Sequence, residues 1–248
     1  MPFVREQIKS LGRKLGVELR RYSAEHSEAP KLKAFFDRFG IDLVFDVGAN
    51  TGQFARTIRA AGYAGRIVSF EPLSAAHRAL CAHAAGDSLW QVHPRCALGD
   101  RAGEATINVS SNSASSSLLP ILETSLRSAP ESKFVGCEKT SVATLDGLYG
   151  QYRGGGERIF LKVDTQGFEK PVLDGAQACL PHVQGALLEL SLVPLYEGQE
   201  LWHYFVDYLG ARGFAIWALI PGFSDPRTGQ TLQVDAIFYR PAADPALS

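Results

Sequence analysis

The feature that most constrains this chain is Leu43-Val44-Phe45-Asp46-Val47 running straight into Gly48-Ala49-Asn50-Thr51-Gly52. A short apolar run that ends in a glycine-containing turn suits a strand buried on both faces. Such strands pair in parallel, and parallel pairing needs a long crossover, usually a helix. The chain supplies those crossovers. Thr51 to Ala61 reads as a helix stopped by Gly62, and Arg66 to Phe70 as a second strand ending at Glu71-Pro72. Ser74 to Ala85 reads as a further helix and Trp90 to His93 as a third strand. The alternation predicts an α/β fold with a doubly wound sheet.

The pattern then breaks. Glu104 to Val109 reads as a strand, and Ser110 to Ser117 as a loop too polar for the core. Ile159-Phe160-Leu161-Lys162-Val163-Asp164 restores the alternation as a fourth core strand, followed by a helix over Lys170 to Ala178. Ala186 to Leu192 is a fifth strand and Leu201 to Ala211 a helix; Phe214 to Leu219 and Asp235 to Tyr239 close the sheet as a hairpin-like pair. Upstream, Val4, Ile8, Leu11 and Leu15 recur at helical spacing and predict a helix from Val4 to Arg21. Arg5, Lys9, Arg13, Lys14, Arg20 and Arg21 give it a basic face. Ser23 to Pro30 reads as a linker and Leu32 to Phe39 as a short helix closed by Gly40. The expected division is a helical extension over 1–40, the main domain over 41–240 and a flexible tail over 241–248.

Composition works by exclusion. A chain of 248 residues buries a full core as one domain. A formal net charge of −1 lacks the basic bias of a nucleic-acid binder, so no nucleic-acid partner is expected. Cys81, Cys96, Cys137 and Cys179 lie far apart, as expected of reduced thiols and not of zinc ligands. No apolar run is long enough to span a bilayer. The N-terminus is charged from Arg5 onward and lacks the apolar core of a signal peptide, so a cytoplasmic location is expected. Three uses are open to the basic helix: packing on the main domain, resting on the inner surface of an anionic membrane, or forming a homodimer.

The turn after the first strand lies at the carboxyl end of a parallel sheet, where open α/β folds bind ligands. Gly48 and Gly52 would let backbone approach a ligand closely. The helix amides beyond them suit a carboxylate. Glu71 ends the next strand, where a carboxylate can accept hydrogen bonds from both hydroxyls of a ribose. A dinucleotide would want G-x-G-x-x-G to admit its pyrophosphate, and a P-loop would want Gly-Lys-Ser/Thr; neither is present. An NAD-dependent oxidoreductase is disfavoured on that ground. S-adenosylmethionine (SAM) has no pyrophosphate, and Asp46 would engage its ammonium directly or through water.

At these residues the chain resembles the FkbM family of SAM-dependent methyltransferases, over Val44 to Arg240. The resemblance rests on Val44 to Gly52, Ser69-Phe70-Glu71-Pro72, Ala97-Leu98-Gly99-Asp100, Leu161 to Glu169, Val172-Leu173-Asp174-Gly175-Ala176 and Val234-Asp235-Ala236-Ile237-Phe238. It implies a Rossmann-like class I methyltransferase fold: a mostly parallel seven-stranded sheet, helices on both faces and an antiparallel terminal strand. It also implies O-methylation, with Asp46, Gly48, Asn50, Thr51, Gly52, Glu71, Pro72 and Ala97 around the cofactor. Leu195-Tyr196-Glu197-Gly198 and Pro221 to Pro226 look like bacterial members that methylate deoxysugar hydroxyls of cell-surface glycolipids. A small-molecule or glycolipid sugar is therefore the expected acceptor. A polyketide or macrolide hydroxyl, or SAM binding without turnover, are the alternatives.

Methyl transfer from a sulfonium is an in-line displacement. Placing the acceptor oxygen behind the methyl carbon can supply about 7–11 kcal/mol of the barrier. A general base adds roughly 10²- to 10⁴-fold. Lys162 and Asp164 lie two apart on a strand and face the same way. Asp164, at the carboxyl end, is the first candidate for base or acceptor anchor. Glu189 sits in an otherwise apolar strand, a costly place for an unpaired charge. It either pairs with Lys162 or faces the acceptor. Glu169 opens a helix, where its charge suits the dipole. His203 has the right chemistry for a base near neutral pH, or is an ordinary surface histidine. Asp164, Glu189 and Asp235 could offer oxygens to a divalent metal, though without dedicated ligand spacing. The loop from Asn108 to Leu119 is expected to cover the acceptor. Trp202, Tyr204, Trp217 and Phe223 are either an apolar wall for it or ordinary core.

Overall fold

The computed structural model of the chain describes residues 2–17 and 21–243. Two helices, α1 (Pro2–Lys14) and α2 (Glu28–Phe39), precede the sheet. The alternation read from the sequence follows as β1 (Leu43–Val47), α3 (Gln53–Ala60), β2 (Arg66–Phe70), α4 (Ser74–Ala84) and β3 (Trp90–Val92). An excursion comes next, made of β4 (Ala97–Leu98), β5 (Gly103–Ser110), α5 (Glu123–Ser128), β6 (Phe134–Ala143) and α6 (Leu145–Tyr152). The chain returns with β7 (Ile159–Val163), α7 (Glu169–Asp174), β8 (Val183–Ser191), α8 (Trp202–Gly210), β9 (Ala215–Pro221) and β10 (Gln233–Tyr239).

Seven strands form one sheet in the order β3-β2-β1-β7-β8-β10-β9. Strands β1, β2, β3, β7 and β8 pair in parallel. Strand β10 runs antiparallel to both its neighbours, β8 and β9. Every residue of β1 and β7 is buried, as helices on both faces require. On one face Leu32, Phe35, Phe36 and Phe39 of α2 meet Val44, Phe160, Leu187 and Ile237 of the sheet. On the other, Phe45 and Leu161 meet Val172 and Leu173 of α7 and Phe205 of α8. From β1 the chain moves outward to β2 and β3, then crosses back to β7 and β8 on the other side. The crevice at the carboxyl ends of β1 and β7 is therefore the switch point of the sheet.

Some boundaries differ from the sequence reading. Helix α2 starts at Glu28, with Ser27 as its N-cap. Pro30 sits in the first turn, where a missing N–H has no partner to lose, so it does not mark a linker. The three buried phenylalanines of α2 make it part of the main core, so a division at residue 40 cuts through one packed unit. Helix α1 ends at Lys14, shortly before Gly16 at φ +73°. The expected continuation over residues 18–20, and the expected tail beyond residue 243, lie outside the described residues. The excursion contains a second sheet, ordered β4-β6-β5. Its strand β6 has no counterpart in the sequence reading. Half of the β6 residues are exposed and only Thr140 is buried, so no apolar alternation marks it; pairing with β5 holds it. Among the described residues no helix is long and apolar enough to cross a membrane.

Candidate functional site

The turn after β1 is built by close approach. Gly48 has φ +70°, and a Cβ there would lie 1.8 Å from the Asp164 carbonyl oxygen. This contact joins the ends of β1 and β7. The N–H groups of Gly48 and Ala49 both donate to the Phe70 carbonyl, at 3.1 and 3.0 Å, which ties in β2. Asn50 adopts a left-handed φ of 48°. Its N–H donates to Glu71 Oε2 at 2.7 Å, and the Leu73 N–H donates to Oε1 at 2.8 Å. Glu71 is thereby held rigidly at the end of β2. Burial pushes its carboxyl up to about 7, against the pull of these two N–H groups.

These residues open onto a cavity of about 300 Å³. Phe70, Leu73, Ala97, Leu98 and Ile107 give it an apolar wall, with Gly48, Asn50, Glu71 and Pro72 beside them. The polar loop expected to act as a cover does reach it, through Ser113, Ala114, Ser116 and Leu118. Ser113 Oγ donates to Asn50 Oδ1 at 3.2 Å, and Ser117 Oγ donates to the Gln166 carbonyl at 2.7 Å. The loop thus bridges the turns that follow β1 and β7.

Lys162 and Asp164 also line the cavity. Lys162 Nζ donates to the carbonyls of Gly48 at 2.8 Å and Val47 at 3.2 Å. It also faces Asp46 Oδ1 at 3.2 Å and Asp164 Oδ2 at 3.5 Å. Burial opposes its charge, but Asp46, Asp164 and Glu189 outweigh that and hold the ammonium above the ordinary lysine range. Asp164 is half-buried, and its Oδ1 accepts from Gln166 Nε2 at 2.9 Å.

Other expected site residues are placed elsewhere. Asp46 is 0% exposed, sealed beneath the turn by Lys162 and by Ser69 Oγ, which donates to its Oδ2 at 3.2 Å. It is not on the cavity wall. Nor is Gly52, where a Cβ would lie 2.7 Å from the Trp90 ring. The Thr51 carbonyl points to His83 Nδ1 at 2.7 Å, and Thr51 does not line the cavity. The expected Lys162–Glu189 ion pair is not formed. Glu189 Oε2 instead accepts from Gln166 Nε2 at 2.6 Å and Gln233 Nε2 at 2.8 Å, off the cavity wall. Burial, then the charges of Asp164, Asp235 and Glu169, raise its carboxyl well above the ordinary range. Glu169 Oε1 accepts from the N–H groups of Thr165 and Gly167 at 2.9 and 3.1 Å, so it ties the β7 turn together. His203 is exposed on α8 and remote from the cavity wall. Trp202, Tyr204, Trp217 and Phe223 do not line it either; Trp217 packs on Phe35 and Phe39, with centroids 5.6 Å away in each case. Asp164, Glu189 and Asp235 do not close on a metal: among the described residues no three His, Cys, Asp or Glu side chains are grouped to hold one.

Several wall residues escaped the sequence reading of the cofactor and acceptor sites, Gln166 and Glu28 among them, while Asp235 entered it only as a motif residue and possible metal ligand. Gln166, at φ 55°, bridges Asp164 and Glu189 with its amide and accepts from the Tyr196 hydroxyl at 2.9 Å. A polar residue before Gly167 at a strand end is the only local sign of it. Glu28 and Asp235 reach the wall through the docking of α2 and the pairing of β10, which no local signal reveals.

The sheet order, the reversed β10 and a cavity at the switch point define a Rossmann-like class I methyltransferase fold. Methyltransferase FkbM from Methylobacillus flagellatus KT aligns over 88% of this chain with a TM-score of 0.51 and 14% identity. This chain spans 45% of that protein, and at such identity the likeness shows the fold alone. Magnesium protoporphyrin IX methyltransferase from Synechocystis PCC 6803, solved with SAM bound, matches over 96% of both chains at 11% identity and a TM-score of 0.46. A search of curated proteins finds no match. The family model described as the methyltransferase FkbM domain matches residues 46–216, more than half of the chain. The chain belongs to the methyltransferase FkbM family.

Proposed function

We propose that this protein transfers the methyl group of SAM to a hydroxyl oxygen, most simply that of a deoxyhexose in a glycolipid. The cavity carries the reading. Glu71 offers an anchored carboxylate suited to a ribose diol, the apolar residues of the wall suit a purine, and Asp164 lines the same cavity. In the reaction the acceptor oxygen bonds to the methyl carbon and the carbon–sulfur bond breaks, its electron pair passing to sulfur. The hydroxyl proton goes to the Asp164 carboxylate. Lys162 and Gln166 each hold one Asp164 oxygen, which fixes the base without using all its lone pairs. The serine-lined loop supports a hydroxyl-rich acceptor, since Ser113 and Ser116 sit on the wall.

Calorimetry with SAM and NAD side by side, followed by transfer of labelled methyl to deoxyhexose glycolipid, tests the reading. SAM should bind and NAD should not. Asp164→Asn should retain SAM affinity while transfer falls by roughly 10²-fold or more. NAD binding without SAM binding would sink the proposal, and label found only in a non-carbohydrate fraction would replace the acceptor.

A further inference from the structure

Beyond Lys162 the cavity carries two charges that methyl transfer itself does not use. Glu28 opens α2, Asp235 lies on β10 opposite Glu189, and both line the wall together with Phe54, Thr57 and Leu187. Neither carboxylate has a hydrogen-bond or ion-pair partner among the described residues. Burial raises both, Asp235 to about 7, with the charges of Asp164 and Glu28 adding to the effect on Asp235, and the Lys162 ammonium, which contacts neither, only partly offsets this. Two partly desolvated, unpaired acids facing one hollow are costly unless a cation joins them.

The methyl donor brings such a cation. Its methionine end carries an ammonium beside a carboxylate. From its place in the β1 turn, Asp46 would be the natural acceptor for that ammonium. Asp46 is closed off, however, and the group between it and the cavity is the positive Lys162. An ammonium approaching there meets a like charge, while the carboxylate of the same head meets an opposite one. The wall also carries the carboxylates of Glu28 and Asp235, which no side chain pairs among the described residues.

We infer that Glu28 and Asp235 form the subsite for the α-ammonium of the methyl donor, in place of Asp46. The inference rests on SAM being that donor. It makes the cavity selective for an adenosine compound that carries an α-amino-acid head.

The test is calorimetry on the full chain with two probes. S-adenosylhomocysteine has the amino-acid head; 5′-methylthioadenosine keeps the nucleoside and thioether and lacks the head. In Glu28→Gln, Asp235→Asn and the double variant, affinity for S-adenosylhomocysteine should fall by roughly ten-fold or more per charge removed. Affinity for 5′-methylthioadenosine should stay within about two-fold, which also shows that each variant is folded. Unchanged S-adenosylhomocysteine affinity in the double variant overturns the assignment. So does loss of methyl transfer with that affinity intact, which would hand the two acids to the acceptor. Wild-type protein that binds neither probe overturns the donor reading itself, and the subsite with it.

Discussion

Glu71 commits one lone pair of each carboxylate oxygen to the N–H groups of Asn50 and Leu73 and keeps the others for a ligand. Charged hydrogen bonds of this kind are worth about 1.5–3 kcal/mol each. Glu71→Ala should therefore weaken SAM binding by roughly 10- to 100-fold, read by calorimetry on protein whose circular dichroism shows it folded. Unchanged affinity would remove the ribose role. Gly48 makes a different kind of demand, because no side chain fits beside the Asp164 carbonyl. Gly48→Ala should cost at least ~3 kcal/mol in denaturant unfolding, above the usual range for overpacking, because the obstacle is backbone. Gly86→Ala, where a Cβ meets open space, should stay within about 1 kcal/mol. Much of this was legible in the sequence: Gly48, Asn50, Glu71, Pro72, Ala97, Lys162 and Asp164 lie at or just past strand ends and do line the cavity. What was not legible is sidedness. Asp46 lies only two residues before Gly48, yet its side chain points into the sheet face beneath Lys162. Glu189, in an apolar strand, was read as pairing with Lys162 or facing the acceptor, but it does neither: its Oε2 accepts from two glutamine amides off the cavity wall.

At the scale of elements, the strands and helices of the main sheet could be read because their burial imposes a pattern. Strand β6 could not, because its partial exposure erases the alternation. The serine-rich loop was legible as a polar loop, but not the contacts that anchor it. The loop is tied to the turns after β1 and β7 and to Tyr196 by Ser113 to Asn50, Ser117 to the Gln166 carbonyl, and the Tyr196 hydroxyl to the Ser115 carbonyl, and further hydrogen bonds hold Ser110 to Ser115 against residues 131–133. The first of these reaches the cofactor turn and lies in the exposed part of the loop. A hydrogen bond of this sort is worth about 0.5–1.5 kcal/mol. Ser113→Ala should leave the unfolding midpoint nearly unchanged but speed amide exchange at residues 111–116. Donor release should quicken by a few-fold in stopped-flow measurements. Exchange rates equal to wild type would mean that the other ties hold the loop without help from Asn50.

For the whole molecule, the buried acids set the response to pH. Burial lifts Glu71, Glu169 and Asp235 to about 7, and Glu189 well above the ordinary range. In the unfolded chain the same groups ionise near 4 to 4.5. Between those limits the folded state binds more protons than the unfolded one, so stability falls as pH rises through the window. Asp87 and Glu157 are shifted the opposite way, and their contribution is lost only as pH falls below the unfolded carboxylate range. The ligand-free protein should therefore melt at steadily lower temperature from about pH 5 to about pH 7 and then level off. On the proposed reading a bound donor opposes part of this trend, because an ammonium at Glu28 and Asp235 and a ribose diol at Glu71 would both favour the ionised carboxylates. The melting-temperature increase produced by saturating S-adenosylhomocysteine should grow across the same window. Asp235→Asn should flatten that growth while leaving the part due to Glu71, which 5′-methylthioadenosine reports alone. A ligand effect independent of pH would show that these acids do not touch the donor, even if the fall in ligand-free stability were as expected.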